Sequence, residues 1–130
     1  MSSSRALSVV AGISLVYDLT IGMLLLVAAG SVASWFHIAL PEPILFVKLN
    51  ALFLICVGLG YLQPLRDPQA HRAYLWVFGP LLKGGGAIVF LWDHLANGAP
   101  ASVLLFAASD GTLALVTLAA LLKGDGSRLR

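Results

Sequence analysis

Four runs of apolar residues, each about 20 residues long, dominate this chain of 130 residues. They cover residues 6–29, 43–62, 73–95 and 101–122. A helix needs roughly 20 apolar residues to cross the hydrocarbon core of a membrane, so each run is long enough for one crossing. With 59% hydrophobic and 11% charged residues, the chain has too little polar surface for a water-soluble globule. The sequence predicts an all-α integral membrane protein with a single transmembrane domain over residues 1–130.

Turn residues between the runs predict where the helices begin and end. Asp67 followed by Pro68 is typical of a helix start, which extends the third helix to 68–95. Asn97-Gly98 is typical of a helix end, and Pro100 is favourable at the start of the next helix. Short connections favour antiparallel neighbours. The default architecture is therefore a four-helix bundle with up-down-up-down topology and helices over residues 6–29, 43–62, 68–95 and 101–122.

The basic residues outside the apolar runs predict the orientation of the chain. The loops around 30–42 and 96–100 contain neither lysine nor arginine. All six basic residues outside the runs fall on the opposite side: Arg5, Arg66, Arg72, Lys123, Arg128 and Arg130. Positively charged loops stay in the cytoplasm, so we expect a multi-pass protein of the inner (plasma) membrane with both termini cytoplasmic.

A cleaved signal peptide is the competing interpretation of residues 1–33. Arg5 precedes an apolar stretch, and the small residues from Ala28 to Ala33 resemble a cleavage site. The length of that stretch and Asp18 in its middle favour a membrane-spanning helix.

Apart from Asp93 and His94 at the very end of the third run, four charged side chains lie inside the apolar runs: Asp18, Lys48, Lys83 and Asp110. A charge at the bilayer centre costs about 2.5 to 3.5 kcal/mol, so such groups normally turn inward toward partners or water. The sequence therefore predicts an intramembrane charge cluster. Helical spacing adds polar neighbours to it, namely Ser14 and Tyr17 near Asp18, and Ser109 next to Asp110.

Two features near Lys83 predict an irregular third helix. Pro80 has no N–H to donate to the carbonyl of Trp76, so a bend or a bound water is expected just before Lys83. The three glycines at 84–86 predict close approach of another helix, because small residues permit such contacts in membranes.

The charge cluster has two principal interpretations. Asp18 or Asp110 paired with Lys83 specifies which helices pack together, in which case the charges are structural. Alternatively, the four charges line a polar cavity, open toward the outside through Lys48, that binds an anionic or amphiphilic ligand or passes protons. Contact with another subunit is a third use for the same residues.

Other function classes find little support in the sequence. The net charge of +2 is not concentrated in the dense basic patch that nucleic-acid binding needs. No GxSxG or phosphate-binding motif is present, and we assign no catalytic residue. A metal site is a minor possibility without a recognisable ligand spacing, and its candidates on the predicted outer side are His37, Glu42, Asp93 and His94.

Several short motifs carry a resemblance to a known group of proteins. They are Gly58-x-Gly60-Tyr61, Arg66-Asp67-Pro68, Arg72, Lys83-Gly84 and Asp110-Gly111, spread over residues 58–122, which is about half of the chain. In these residues the chain resembles the uncharacterised bacterial four-helix membrane proteins of the DoxX-like type. The resemblance implies the neighbourhood of redox-linked membrane assemblies, since DoxX itself is associated with a thiosulfate:quinone oxidoreductase. Paired cysteines and a cofactor ligand set are lacking, so it implies no autonomous redox activity.

The leading hypothesis is a non-catalytic or accessory membrane protein built around buried Asp–Lys pairs. Its expected partners are the lipid bilayer, other membrane subunits or a second copy of the chain, and a lipid-like or quinone-like ligand. The alternative is a small proton-coupled transporter or channel that uses Asp18, Lys83 and Asp110. A membrane enzyme is the third interpretation. The carboxylate of the first helix resembles that of small multidrug transporters, but lysines in a shared cavity would oppose binding of organic cations.

Overall fold

The structure, a computed structural model, describes residues 2–126. All regular elements in that range are helical. They include a π-helical turn over Val77–Leu81 and a 3₁₀ turn over Ala101–Val103. The α-helices are α1 Ser3–Val27, α2 Ala29–Trp35, α3 Leu45–Gly60, α4 Leu62–Arg66, α5 Arg72–Trp76, α6 Leu82–Asn97 and α7 Leu104–Gly126.

These helices form four segments that are long and apolar enough to cross a membrane: Ser3–Val27, Leu45–Arg66, Arg72–Asn97 and Ala101–Gly124. The predicted all-α class with four membrane-length helices is confirmed. In the most apolar stretch of each segment, at most 28% of the residues are buried inside the protein. The remaining surface is rich in leucine, isoleucine and valine. Such a surface suits lipid and would be an aggregation-prone patch in water.

The predicted start of the third helix at residue 68 is wrong. The helix begins at Arg72, and residues 68–71 form a turn. Asp67 Oδ1 accepts hydrogen bonds from the backbone N–H groups of Gln69 and Ala70, at 3.1 and 3.0 Å. The aspartate therefore caps this turn instead of the helix, a local use of its side chain that competes with helix capping.

Other helix ends also differ from the predictions. The first helix begins earlier than predicted, at Ser3, where the Ser2 hydroxyl accepts from the Arg5 backbone N–H at 3.3 Å. The predicted loop around 30–42 contains the short helix α2. Asn97-Gly98 ends α6 as predicted, with Gly98 in the left-handed conformation at a φ of 72°. Arg128 and Arg130, which entered the orientation argument, lie outside the described residues.

The helices pack most extensively in two pairs, α1 with α3 and α6 with α7, and α1 also contacts α7. Glycines permit the close contact between α1 and α3. A Cβ at Gly22 would lie 3.0 Å from the Ala51 carbonyl oxygen, and one at Gly58 would lie 2.9 Å from Leu19 Cγ. The glycines at 84–86 predicted such a contact for α6, but a Cβ there would meet atoms of α7 only at ordinary distance or meet none. Of these two pairs, it is therefore the first whose close contact depends on glycines within the α-helices.

The start of α1 at Ser3 and the start of α5 at Arg72 are joined to the last part of α7 by apolar packing and by hydrogen bonds. Ser3 Oγ donates to the carbonyl of Ala120 at 3.0 Å, and Arg72 donates to the carbonyl of Leu121 at 3.0 Å. These side-chain hydrogen bonds fasten the start of α1 and the start of α5 to the last turns of α7. The hydrophobic core directly beside them comprises Leu7, Ala11, Val57, Tyr61, Leu75, Ala120 and Leu121. This end of the molecule is tightly closed.

We predict that Gly22→Ala destabilises the protein and that Gly85→Ala does not. Overpacking against backbone atoms costs about 1–3 kcal/mol, which exceeds the roughly 1 kcal/mol that alanine gains over glycine within a helix. Gly85 is the matched control, because a Cβ there meets nothing within 4 Å. Thermal or denaturant unfolding in detergent measures the difference. Equal stability of the two variants would contradict a tight contact between α1 and α3.

Candidate functional site

An ion pair between Asp18 on α1 and Lys83 on α6 forms the centre of the site. Lys83 Nζ donates to Asp18 Oδ1 at 2.6 Å. Asp18 is 2% exposed and Lys83 is 4% exposed. The ammonium also lies 5.0 Å from the centroid of the Tyr17 ring and 5.9 Å from that of Tyr61, distances at which an aromatic face attracts a cation. Lys83 is thus neutralised by one carboxylate and held by two rings.

The irregular segment before Lys83 is a π-helical turn. Pro80 lies inside it, at the position where the sequence predicted a distortion. A wider turn rotates the residues that follow it relative to those before it, and such turns often occur at functional sites. Gly79 brings the turn against α7, since a Cβ there would lie 2.7 Å from Thr117 Cγ2. The π turn and Gly79 together determine where Lys83 enters the protein interior.

A cavity of about 490 Å³ adjoins this ion pair. Its polar residues at this end are Tyr17, Asp18, Lys83 and Asp110. From there it extends past α2 to the segment 38–41 that precedes α3. Its walls are mostly apolar and include Ile21, Leu25, Val32, Phe46, Phe53, Leu54, Phe90 and Phe106. A cavity of this size with a few polar groups at one place is typical of small-molecule binding sites.

Tyr17 and Ser109 connect α1 to α7 beside Asp110. Their hydroxyl oxygens are 2.6 Å apart. Ser109 Oγ also lies 2.8 Å from the carbonyl oxygen of Leu105, to which it can only donate. Tyr17 also hydrogen-bonds the side chain of Asp110, so its hydroxyl is shared between Ser109 and Asp110. The Tyr17 proton is therefore used within the protein.

Two buried oxygens next to the ion pair accept no hydrogen bond from residues 2–126. One is Asp18 Oδ2 and the other is the hydroxyl of Ser14, which is 1% exposed. The hydroxyl of Tyr61 is also buried and forms no hydrogen bond with these residues. An unpartnered polar group in an apolar surrounding is costly, and a water molecule or a ligand commonly supplies the missing partner.

The structure brings together three of the four predicted charges. Asp110 is partly buried and lines the cavity with Asp18 and Lys83. Lys48 does not line it: the lysine is exposed on α3, while its neighbours Val47 and Asn50 face the cavity. The predicted opening through Lys48 gains no support from the residues that line the cavity, and it stays a prediction. The cavity end holds two carboxylates against one ammonium.

Sequence reasoning missed the aromatic wall of the cavity. Phe106 stacks on Phe36 with ring centroids 4.6 Å apart and on Phe90 with centroids 5.4 Å apart. Ser102 Oγ donates to the carbonyl of Phe36 and fixes this arrangement. Phe36 lies in a predicted loop, and Phe90 and Phe106 look like ordinary lipid-facing residues of two apolar runs. Only the spacing of Phe106 from Asp110 on the same helix offered a signal.

The side chains considered for a metal do not gather at one place. His94 Nδ1 lies 2.6 Å from the carbonyl oxygen of Ala99, and Asp93 accepts from Asn97 at 2.7 Å. Within residues 2–126, no three histidine, cysteine, aspartate or glutamate side chains are placed to hold an ion together.

We predict that Asp18→Asn and Lys83→Met each lower the free energy of unfolding by about 3–5 kcal/mol, because each leaves a buried charge without its partner. The double variant recovers most of that loss. Lys48→Met is the control for removal of a lysine charge, since Lys48 is exposed. Unfolding in detergent measures all four variants, and additive losses in the double variant would contradict direct pairing.

Comparison with known proteins leaves the site to be interpreted from its geometry. No family model, no curated protein and no solved structure matches this chain. The resemblance to DoxX-like proteins stays a prediction.

Proposed function

We propose that this chain is a small multi-pass protein of the inner membrane that binds a lipid-like or quinone-like amphiphile in the cavity beside Asp18, Lys83 and Asp110. Its role is accessory and non-catalytic, within the DoxX-like group that its motifs resemble. The bound amphiphile, or a membrane subunit that supplies or receives it, is the expected partner.

The observation that carries this proposal is the unequal distribution of polarity along the cavity. One end holds Tyr17, Asp18, Lys83 and Asp110, and the remaining walls are mostly apolar, with Asn50 of α3 as a further polar residue. An amphiphile has the same division between a polar head and an apolar body. Phe90 and Phe106, which line the cavity, add flat surfaces on which a ring or a chain can pack.

A proton-coupled transporter is the second candidate, favoured by the two carboxylates around one lysine. Ionisable residues inside membranes often serve proton pathways. Beyond the charges, however, Tyr61, Leu75 and Leu121 belong to a packed core and are at most 1% exposed. Transport would require a second conformation that opens this core. Ligand binding requires only the conformation described.

The proposal includes an up-down-up-down bundle with both termini in the cytoplasm. Hydrogen bonds that join Ser3 to Ala120 and Gln69 to Ser4 support it, because they bring both chain ends and the connection after α4 to one side. The basic residues Arg5, Arg66 and Arg72 on that side support the cytoplasmic orientation.

Cysteine labelling tests this topology in a Cys56→Ala background. We predict that a membrane-impermeant maleimide labels Asn97→Cys in intact cells with an opened outer membrane. Ala70→Cys, which is also at an exposed position, should react only after the inner membrane is permeabilised. Labelling of both positions from the same side would overturn the topology.

A cavity-filling substitution tests the binding function. Gly86 lines the cavity, and a Cβ there would lie 3.6 Å from Asp110 Oδ2, so Gly86→Leu projects into the space. Gly85→Leu is the matched control on the same helix, because Gly85 is exposed and does not line this cavity. We predict that organic extraction and mass spectrometry recover an amphiphile from the wild type and from Gly85→Leu, but not from Gly86→Leu. Identical extracts from the two variants would contradict the proposal.

A further inference from the structure

We propose that the cavity selects amphiphiles whose polar head is a protonated amine, with Asp110 as the counter-charge and Asp18 as a second acceptor. This inference rests on the proposed function and specifies the ligand class for the same site. It reverses the sequence-based expectation that lysines in the cavity would oppose organic cations.

The charge balance of the cavity is the first step. Of the two lysines in the apolar runs, Lys48 is exposed on α3 and does not line the cavity. The other, Lys83, lies 2.6 Å from Asp18, so the two opposite charges cancel. Asp110 remains as a second carboxylate at the same end. With these groups ionised the site carries one net negative charge, and in a low-dielectric surrounding that charge favours a cationic partner.

The hydrogen-bonding capacity of the same groups is the second step. Asp18 Oδ2 is buried and accepts no hydrogen bond within the described part of the chain. Tyr17 also hydrogen-bonds the side chain of Asp110, and toward an ionised carboxylate its hydroxyl can only donate. A primary ammonium has three donors and no acceptor, as the lysine head does. It therefore complements the carboxylate acceptors of Asp110 and Asp18.

The walls of the cavity are the third step. Phe90 and Phe106, whose rings stack on each other, line the cavity together with Asp110, and Phe46 and Phe53 of α3 line it as well. Aromatic faces attract an ammonium group, and aromatic rings pack well against an alkyl chain. The same aromatic side chains can therefore contact the ammonium head of the ligand as it enters and the alkyl chain of the ligand once it is bound.

Three probes with one chain length and different heads test the inference: n-decylamine, 1-decanol and decanoic acid. The amine is protonated at neutral pH, as lysine is. Wild type and variants are reconstituted in phosphatidylcholine nanodiscs, and calorimetric binding is measured against empty nanodiscs. We expect the amine to bind about tenfold or more tightly than the alcohol, as a charge-assisted hydrogen bond provides. Asp110→Asn should remove this advantage, whereas Asp93→Asn, at an exposed acid outside the cavity, should keep it.

Each alternative result has a defined meaning. If the alcohol or decanoic acid binds as tightly as the amine, and Gly86→Leu abolishes that binding, the amine selectivity is overturned while the cavity remains a binding site. If Gly86→Leu binds the probes as the wild type does, both proposals fail. If no probe binds above the empty nanodiscs, the amine selectivity is overturned, and the extraction experiment with Gly86→Leu and Gly85→Leu decides the proposed function separately. The comparison of the three heads on wild-type protein decides the question even where Asp110→Asn does not fold.

Discussion

The buried ion pair between Asp18 and Lys83 is the interaction on which the rest of the molecule depends. The helices pack mainly as two pairs, α1 with α3 and α6 with α7, and the ion pair joins a helix of one pair to a helix of the other. In an apolar surrounding neither charge is tolerated alone. The ion pair therefore fixes the distance between the two helix pairs where it forms. The cavity lies beside the ion pair.

The two ends of the molecule differ in how the space between the helices is filled. Toward Ser3 and Arg72, a packed core and side chain to carbonyl hydrogen bonds leave no room. Toward α2, the same helices enclose the cavity of about 490 Å³. A rigid closed end and an opening at the other suit a binding site better than a continuous channel, because a ligand needs a fixed polar end on which to orient.

Much of the site was visible in the sequence, and the rest was not, for identifiable reasons. Asp18, Lys83 and Asp110 were recognisable because a charge in an apolar run is rare and must turn inward. The exposure of Lys48 was not recognisable from the sequence. Lys48 lies near the start of α3, where a long side chain can reach the membrane surface. The assignment of Lys83 to Asp18 instead of Asp110 required knowledge of the helix rotation after the π turn at Pro80. The start of the third helix was missed because Asp67 caps a turn with the same chemistry that caps a helix.

The sequence by itself determined the helical class, the four membrane-length segments and the buried charges, because apolar run length and the cost of a charge in lipid depend on composition and spacing alone. Only the tertiary structure decided which charges meet, which glycines bring helices together and where an apolar cavity remains. Those outcomes depend on the rotation and separation of whole helices. Gly22, Gly79 and the ion pair of Lys83 with Asp18 act together to set them, and no local sequence pattern specifies their combined result.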